Sequence, residues 1–156
     1  RRTPMRVHEG SLDGTGLRVA MVASRFNDTI VQRLVDGAAS CLTKHGVADD
    51  DIDLYWVPGA WEIPVVAQRI AKTGTVDAVV ALGLVVRGQT AHFAPVAGES
   101  AALGRVALET GVPMSFGVLT TENWDQAQDR AGGKMGNKGW EAAQAALETA
   151  TLLKTL

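Results

Sequence analysis

Residues 77–84 read Asp-Ala-Val-Val-Ala-Leu-Gly-Leu, one charge followed by an unbroken apolar run. A strand with one wet face alternates apolar and polar residues with a period of two. An unbroken run instead means that both faces are covered, which is the habit of parallel sheets packed between helix layers. Leu17-Arg-Val-Ala-Met-Val-Ala23 has the same character and reads as the first strand. A helix-period segment follows it as far as His45 and is stopped by Gly46, with Asn27 or Asp28 available as its cap. Ile52–Val57 reads as a second strand ending at Pro58-Gly59, and Glu62 with Pro64 opens the next helix. After the third strand come a helix over about 95–110, a strand over 113–119, a short helical turn within 121–130 and a long helix over 137–156. This alternation, with right-handed crossovers, predicts a three-layer α/β domain around a four-stranded parallel sheet. No linker or repeat divides residues 1–156, and residues 1–15 form an N-terminal arm. Within the arm, Met5–Glu9 alternates like a short strand without a partner. It is expected either to add to the sheet edge of a neighbouring subunit or to fray.

Composition removes several classes of function. A formal charge of −2 does not supply the concentrated basic surface that nucleic-acid binding needs. No apolar run reaches the roughly 18 residues of a membrane span. The opening Arg1-Arg2-Thr3-Pro4 has none of the apolar character of a secretory signal, and the single cysteine excludes an internal disulfide; both predict a cytoplasmic protein. Cys41 falls on the stripe Ile30, Leu34, Ala38, Cys41, Leu42 and reads as core rather than nucleophile. No Cys/His cluster has zinc spacing, and neither the phosphate loop of nucleotide hydrolases nor a dinucleotide fingerprint is present.

The unusual residues follow the strands, where open α/β sheets bind ligands. Arg130-Ala-Gly-Gly-Lys-Met-Gly-Asn-Lys-Gly-Trp-Glu141 sets three cations among glycines before the last helix. Alone it reads as a solvated basic loop, but arginine's planar fork also suits phosphate. Gly83-Leu-Val-Val-Arg-Gly-Gln-Thr-Ala-His92 runs from a buried strand into a polar turn whose amides can bind an anion, ending in a histidine able to exchange protons near neutral pH. The two segments together point to an anionic, phosphorylated small-molecule substrate. Phe26 reads alone as a packing residue and in a site as a flat face for a heteroaromatic ring. Trp61 reads as packing, Glu62 as a helix-start acid or an acceptor for substrate hydroxyls, and Phe116 as a core residue of the fourth strand.

Taken together, Ala23-Ser-Arg-Phe-Asn27, Val57-Pro-Gly-Ala-Trp-Glu-Ile-Pro64, Arg87-Gly-Gln-Thr-Ala-His-Phe93, Phe116-Gly-Val-Leu-Thr120 and the 130–141 segment resemble the lumazine synthase family from residue 5 to residue 156. The resemblance implies a flavodoxin-like sandwich. It implies condensation of 5-amino-6-(D-ribitylamino)uracil with 3,4-dihydroxy-2-butanone 4-phosphate to 6,7-dimethyl-8-ribityllumazine, in riboflavin biosynthesis. Schiff-base formation, phosphate loss, ring closure and dehydration would proceed without a metal or organic cofactor. By motif, Phe26 would stack on the pyrimidine, and Ala60, Trp61 and Glu62 would hold the ribityl chain. Leu84, Val85 and Val86 would offer backbone groups to the pyrimidine edge. Gln89, Thr90 and Arg130 would bind the phosphate, and His92 would move protons. Phe116 would cover the ring from the adjacent subunit, with Lys138 close to the substrate.

The resemblance also implies sites shared between subunits of a homopentamer, and it makes riboflavin synthase a candidate partner. Pentamer-only members often carry an insertion before the final helix; 132–139 has none, which favours closure into an icosahedral shell. The chain departs from the family pattern at Ala94, where an acid usually stands two residues after the histidine. Such an acid orients the imidazole and stabilises its charged form, so its absence predicts slower proton transfer, which Ala94→Asp would restore. Ala60 often gives way to serine in relatives, and the helix after Pro95 is one residue short. The rival readings are a non-catalytic lumazine- or flavin-binding or shell-forming relative, and an unrelated flavodoxin-like sensor of a phosphorylated ligand.

Overall fold

The computed structural model describes residues 4–87 and 95–156. Four strands, β1 (Val19–Ser24), β2 (Ile52–Val57), β3 (Ala78–Val86) and β4 (Met114–Thr121), form one sheet in the order β2-β1-β3-β4. Every neighbouring pair in it is parallel. The helices are α1 (Asp28–Lys44), α2 (Ile63–Lys72), α3 (Pro95–Thr110), α4 (Trp124–Arg130) and α5 (Lys138–Leu153). None of them is long and apolar enough to cross a membrane.

The unbroken apolar runs have the expected cause. Val19, Met21 and Ala23 of β1 and Val80, Leu82 and Leu84 of β3 join one buried cluster with α1 and α5. The alternate residues Ala20, Val22, Val79 and Ala81 join a second cluster with Ile63, Ala67 and Ile70 of α2 and Leu103 of α3. The two central strands are thus covered on both sides, a three-layer α/β sandwich of the flavodoxin-like kind. The edge strand β2 is not: Asp53, Leu54 and Tyr55 are exposed. Helices α1 and α5 touch so closely that a Cβ on Gly139 would collide with the Leu34 carbonyl oxygen, so only glycine fits there. Cys41 is fully buried on α1 as the stripe predicts, and burial pushes its thiol up to about 11.

The structure corrects several boundaries and one cap. β3 and β4 each run two residues past their expected ends, to Val86 and Thr121, because the two strands continue to pair with each other after β1 has stopped. The last helix ends at Leu153 rather than 156. Asn27 does occupy the N-cap position of α1, but its side chain accepts nothing from the helix; its backbone is left-handed, at φ 64°. By contrast Asn137 caps α5 as an asparagine should, accepting from the Trp140 amide at 3.1 Å. Residues 5–9 form no strand in the single chain, where Val7 is 67% exposed. A small antiparallel hairpin, β5 (Ala131–Gly133) with β6 (Gly136–Asn137), stands where a plain loop was expected.

Candidate active site

At the carboxyl rim of the sheet, β1–β3 pairing ends at Ala23 opposite Leu82, whereas β3–β4 pairing continues to Val86 opposite Thr121. The segment 83–86 therefore projects beyond β1, and one of its backbone edges has no strand beside it among the described residues. The side chains of Leu84 and Val86 are buried in the core, leaving Val85 half-buried on the opposite face. What this segment offers on its unpaired edge is backbone, and it carries Leu84, Val85 and Val86, the residues that the family resemblance assigns to the pyrimidine edge.

Phe26 flanks this projection on the β1 side. Its amide donates to the Pro58 carbonyl at 3.2 Å, and the Arg25 amide donates to Val57 at 2.7 Å, so the β1 exit is tied to the β2 exit. The Phe26 ring is 51% exposed and the Trp61 ring 68%, so neither packs inside the chain as each residue read alone would. Ala60, Trp61 and Glu62 form a 3-10 turn ahead of α2. Glu62 closes it by accepting from the Gly59 amide at 2.9 Å through Oε1, which fixes the carboxylate while leaving acceptor capacity on Oε2. Both readings of Glu62, helix-start acid and hydroxyl acceptor, are compatible with that geometry. Trp61 and Glu62 line a largely apolar cleft of about 510 Å³ with Pro64, Val65, Gly98 and Ala102.

The cations lie on the β4 side. Arg130 ends α4, and Lys138 is the first residue of α5. With Val118, Leu119, Thr120, Met135 and Glu141 they line a cleft of about 400 Å³. The hairpin between them turns through Gly132 at φ 100° and Gly136 at φ 85°, angles open to glycine and strained for other residues. Arg130 makes one long contact, Nη1 to the Gln126 carbonyl at 3.5 Å, so most of its fork remains available. Thr120, Met135 and Glu141 had no assigned role in the sequence reading. The i, i+3 spacing of Lys138 and Glu141 on one helix was the signal for the last of these.

Phe116 lies outside this cleft. It is half-buried against the second core cluster, on the same face of β4 as the cleft residues Val118 and Thr120. The core expectation for Phe116 is thus met only partly, because β4 is an edge strand. Gln89, Thr90 and His92, with Ala94, fall outside the described residues. The segment carrying them begins at Arg87, whose Nη1 pairs with Glu122 at 3.1 Å beside the end of β4. Among the described residues, the Trp61–Glu62 cleft and the Arg130–Lys138 cleft share no lining residue.

The family of 6,7-dimethyl-8-ribityllumazine synthase matches residues 16–154 of the 156-residue chain. The chain belongs to that family. The match takes in every candidate site residue, from Phe26 to Lys138, and leaves the whole of the N-terminal arm, residues 1–15, outside it.

Proposed function

We propose that this protein condenses 5-amino-6-(D-ribitylamino)uracil with 3,4-dihydroxy-2-butanone 4-phosphate, forming 6,7-dimethyl-8-ribityllumazine and releasing phosphate and water, as a cytoplasmic step of riboflavin biosynthesis. One observation carries the reading: an open backbone edge on β3, flanked by an exposed aromatic ring on one side and an arginine–lysine cleft on the other. A flat heteroaromatic substrate suits the first pair of features, a phosphorylated ketone the second. Phe26 stacks on the pyrimidine, and the backbone of Leu84, Val85 and Val86 reads its edge. Ala60, Trp61 and Glu62 hold the ribityl chain. Arg130 takes the phosphate with Gln89 and Thr90, with Lys138 close by. His92 carries protons during imine formation and elimination. Alignment of two substrates supplies a large part of the rate in such a reaction, so the chemistry asks for no metal or organic cofactor.

The separation of the two clefts within one chain supports a site assembled from two copies, with Phe116 covering the ring from the neighbour. Homopentamers closing into an icosahedral shell fit the hairpin's short turn at Lys134-Met135 and the exposed apolar residues Val7, Leu54, Tyr55, Trp61 and Val65. Riboflavin synthase is the partner such a shell would serve. Light scattering at micromolar protein gives a shell mass under this reading, and pentamer mass alone refutes the shell.

The deciding experiment follows product fluorescence from the two purified substrates. Arg130→Ala is expected to lower kcat/KM by about a hundredfold, the weight of a lost charge-assisted pair, and His92→Ala to cause a smaller loss. Absence of product with the pyrimidine still bound would overturn the reading in favour of a non-catalytic lumazine binder.

A further inference from the structure

Asn27 is the one non-glycine residue with positive φ among the described residues, at φ 64° and ψ 42°. Asparagine tolerates this left-handed region better than most side chains, yet the conformation still costs free energy relative to the right-handed one. The residue also stands at the N-cap of a 17-residue helix, where an asparagine oxygen ordinarily accepts from a first-turn amide. Here it does not. The position thus forgoes a stabilising cap and accepts a strained backbone, a combination that stability alone does not explain.

The side chain is used elsewhere. Nδ2 donates to the Leu84 carbonyl oxygen at 3.4 Å, on the part of β3 that projects past β1. The adjacent Phe26 is held from the other direction by its amide bond to Pro58. The backbone that carries the exposed ring is therefore tied to the exits of both β2 and β3, through the Phe26 amide on one side and the Asn27 side chain on the other. At 3.4 Å the bond to Leu84 is too long to add much stability. Its effect is on where the ring and the β3 edge sit relative to each other.

We propose that Asn27 is a positioning residue for the pyrimidine site, its left-handed turn and its amide bridge to Leu84 setting the Phe26 ring against the open edge of β3. This rests on the reading that a pyrimidine stacks on Phe26, and the test separates the two. Asn27→Gly keeps the left-handed turn available and removes only the bridge. Asn27→Asp keeps the shape but turns a donor into an acceptor facing a carbonyl. The measurements are KM for each substrate separately, Kd for the pyrimidine from tryptophan quenching, and Tm. For Asn27→Gly the expected result is a rise in the pyrimidine's KM and Kd of roughly threefold, the effect of a less firmly placed stacking face, with the ketone phosphate's KM and the Tm unchanged. Asn27→Asp raises the pyrimidine values further.

Wild-type pyrimidine affinity in both variants overturns the proposal. So does a parallel rise in both KM values with a fall in Tm, which marks a merely structural role. If the wild type binds the pyrimidine but makes no product, the proposed reaction fails, and the Kd shift alone decides for or against Asn27. A wild type that does not bind the pyrimidine sinks both.

Discussion

The two ends of the sheet treat their polar groups in opposite ways. At the amino end, Asp77 accepts from the Arg18 amide at 2.8 Å, lies 3.6 Å from Arg18 Nε and pairs with Lys154 Nζ at 3.3 Å. Burial raises the Asp77 carboxyl, but the Arg18 amide and the Lys154 and Arg18 charges outweigh it and hold the group below its ordinary value. At the carboxyl end, turn and cap bonds such as Gly59 to Glu62 and Gln126 to Asn123 hold the loops, but several groups among them are exposed, unpaired or strained. Asn27 is left-handed and uncapping, Phe26 and Trp61 face outward, and Arg130 has one long contact. The buried Ser24 hydroxyl has no hydrogen-bond partner among the described residues. One rim closes the fold on itself, and the other keeps its bonding capacity for something else. Stability and function are thus separated along the strand axis, which is why the carboxyl rim can carry strain without loosening the core.

That separation predicts which changes move stability and which move binding. The largest stability effect belongs to Asp77→Asn, expected to cost about 1.5 kcal/mol, because asparagine can still accept from the Arg18 amide but loses the charge paired with the half-exposed Lys154 and Arg18, and to leave substrate affinities unchanged. Because the folded-state value of Asp77 is depressed, its contribution is present above the unfolded value of about 4 and is lost as pH falls through the folded one. Urea denaturation at pH 7 and pH 3 checks both statements: the gap between wild type and variant should shrink in acid, and a gap independent of pH breaks the argument. Next comes Phe26→Ala, expected to weaken pyrimidine binding about tenfold through the loss of a stacking face while shifting Tm little, since half the ring is already in water. A large fall in the Tm of the unliganded protein would place Phe26 with the structural rim instead. The smallest effect is that of Ser24→Ala, expected to raise stability by up to about 1 kcal/mol by removing an unpaired buried hydroxyl. A loss of stability on calorimetry would mean that this hydroxyl finds a partner after all.

The strands and helices were legible in the sequence because their signals are local. β2 and α3 fall on their expected spans, and the doubly buried strands announce themselves by lacking polar alternation. The β5–β6 hairpin was not legible, since Ala131-Gly-Gly and Gly136-Asn have no β-branched or aromatic residue to mark a strand. The pairing depends on backbone angles that two glycines permit and on the Met135 amide donating to Asp129 at 2.8 Å. Asn27 misleads for a different reason. The same residue caps a helix or turns left-handed, and the tie that accompanies its choice lies 57 positions away at Leu84. The outward faces of Phe26 and Trp61 were hidden likewise, because side-chain chemistry alone does not say whether a ring packs within its own chain. Of the candidate site, the structure brings Arg130 and Lys138 into one cleft and leaves one backbone edge of 83–86 unpaired, while Gln89, Thr90 and His92 lie outside the described residues; the roles of all of them stay proposals.

The manner in which α5 completes the core has a consequence for synthesis. Ala142, Ala143, Ala146, Leu147 and Ala150 belong to the same buried cluster as Val19, Met21 and Ala23, and Lys154 supplies the last arm of the Asp77 clamp. A ribosome releases the first strand long before it releases these residues. Until α5 has emerged, the face of β1 and β3 that α1 and α5 share has only α1 to cover it, and part of the apolar run that best defines the fold stays a sticky surface on the nascent chain.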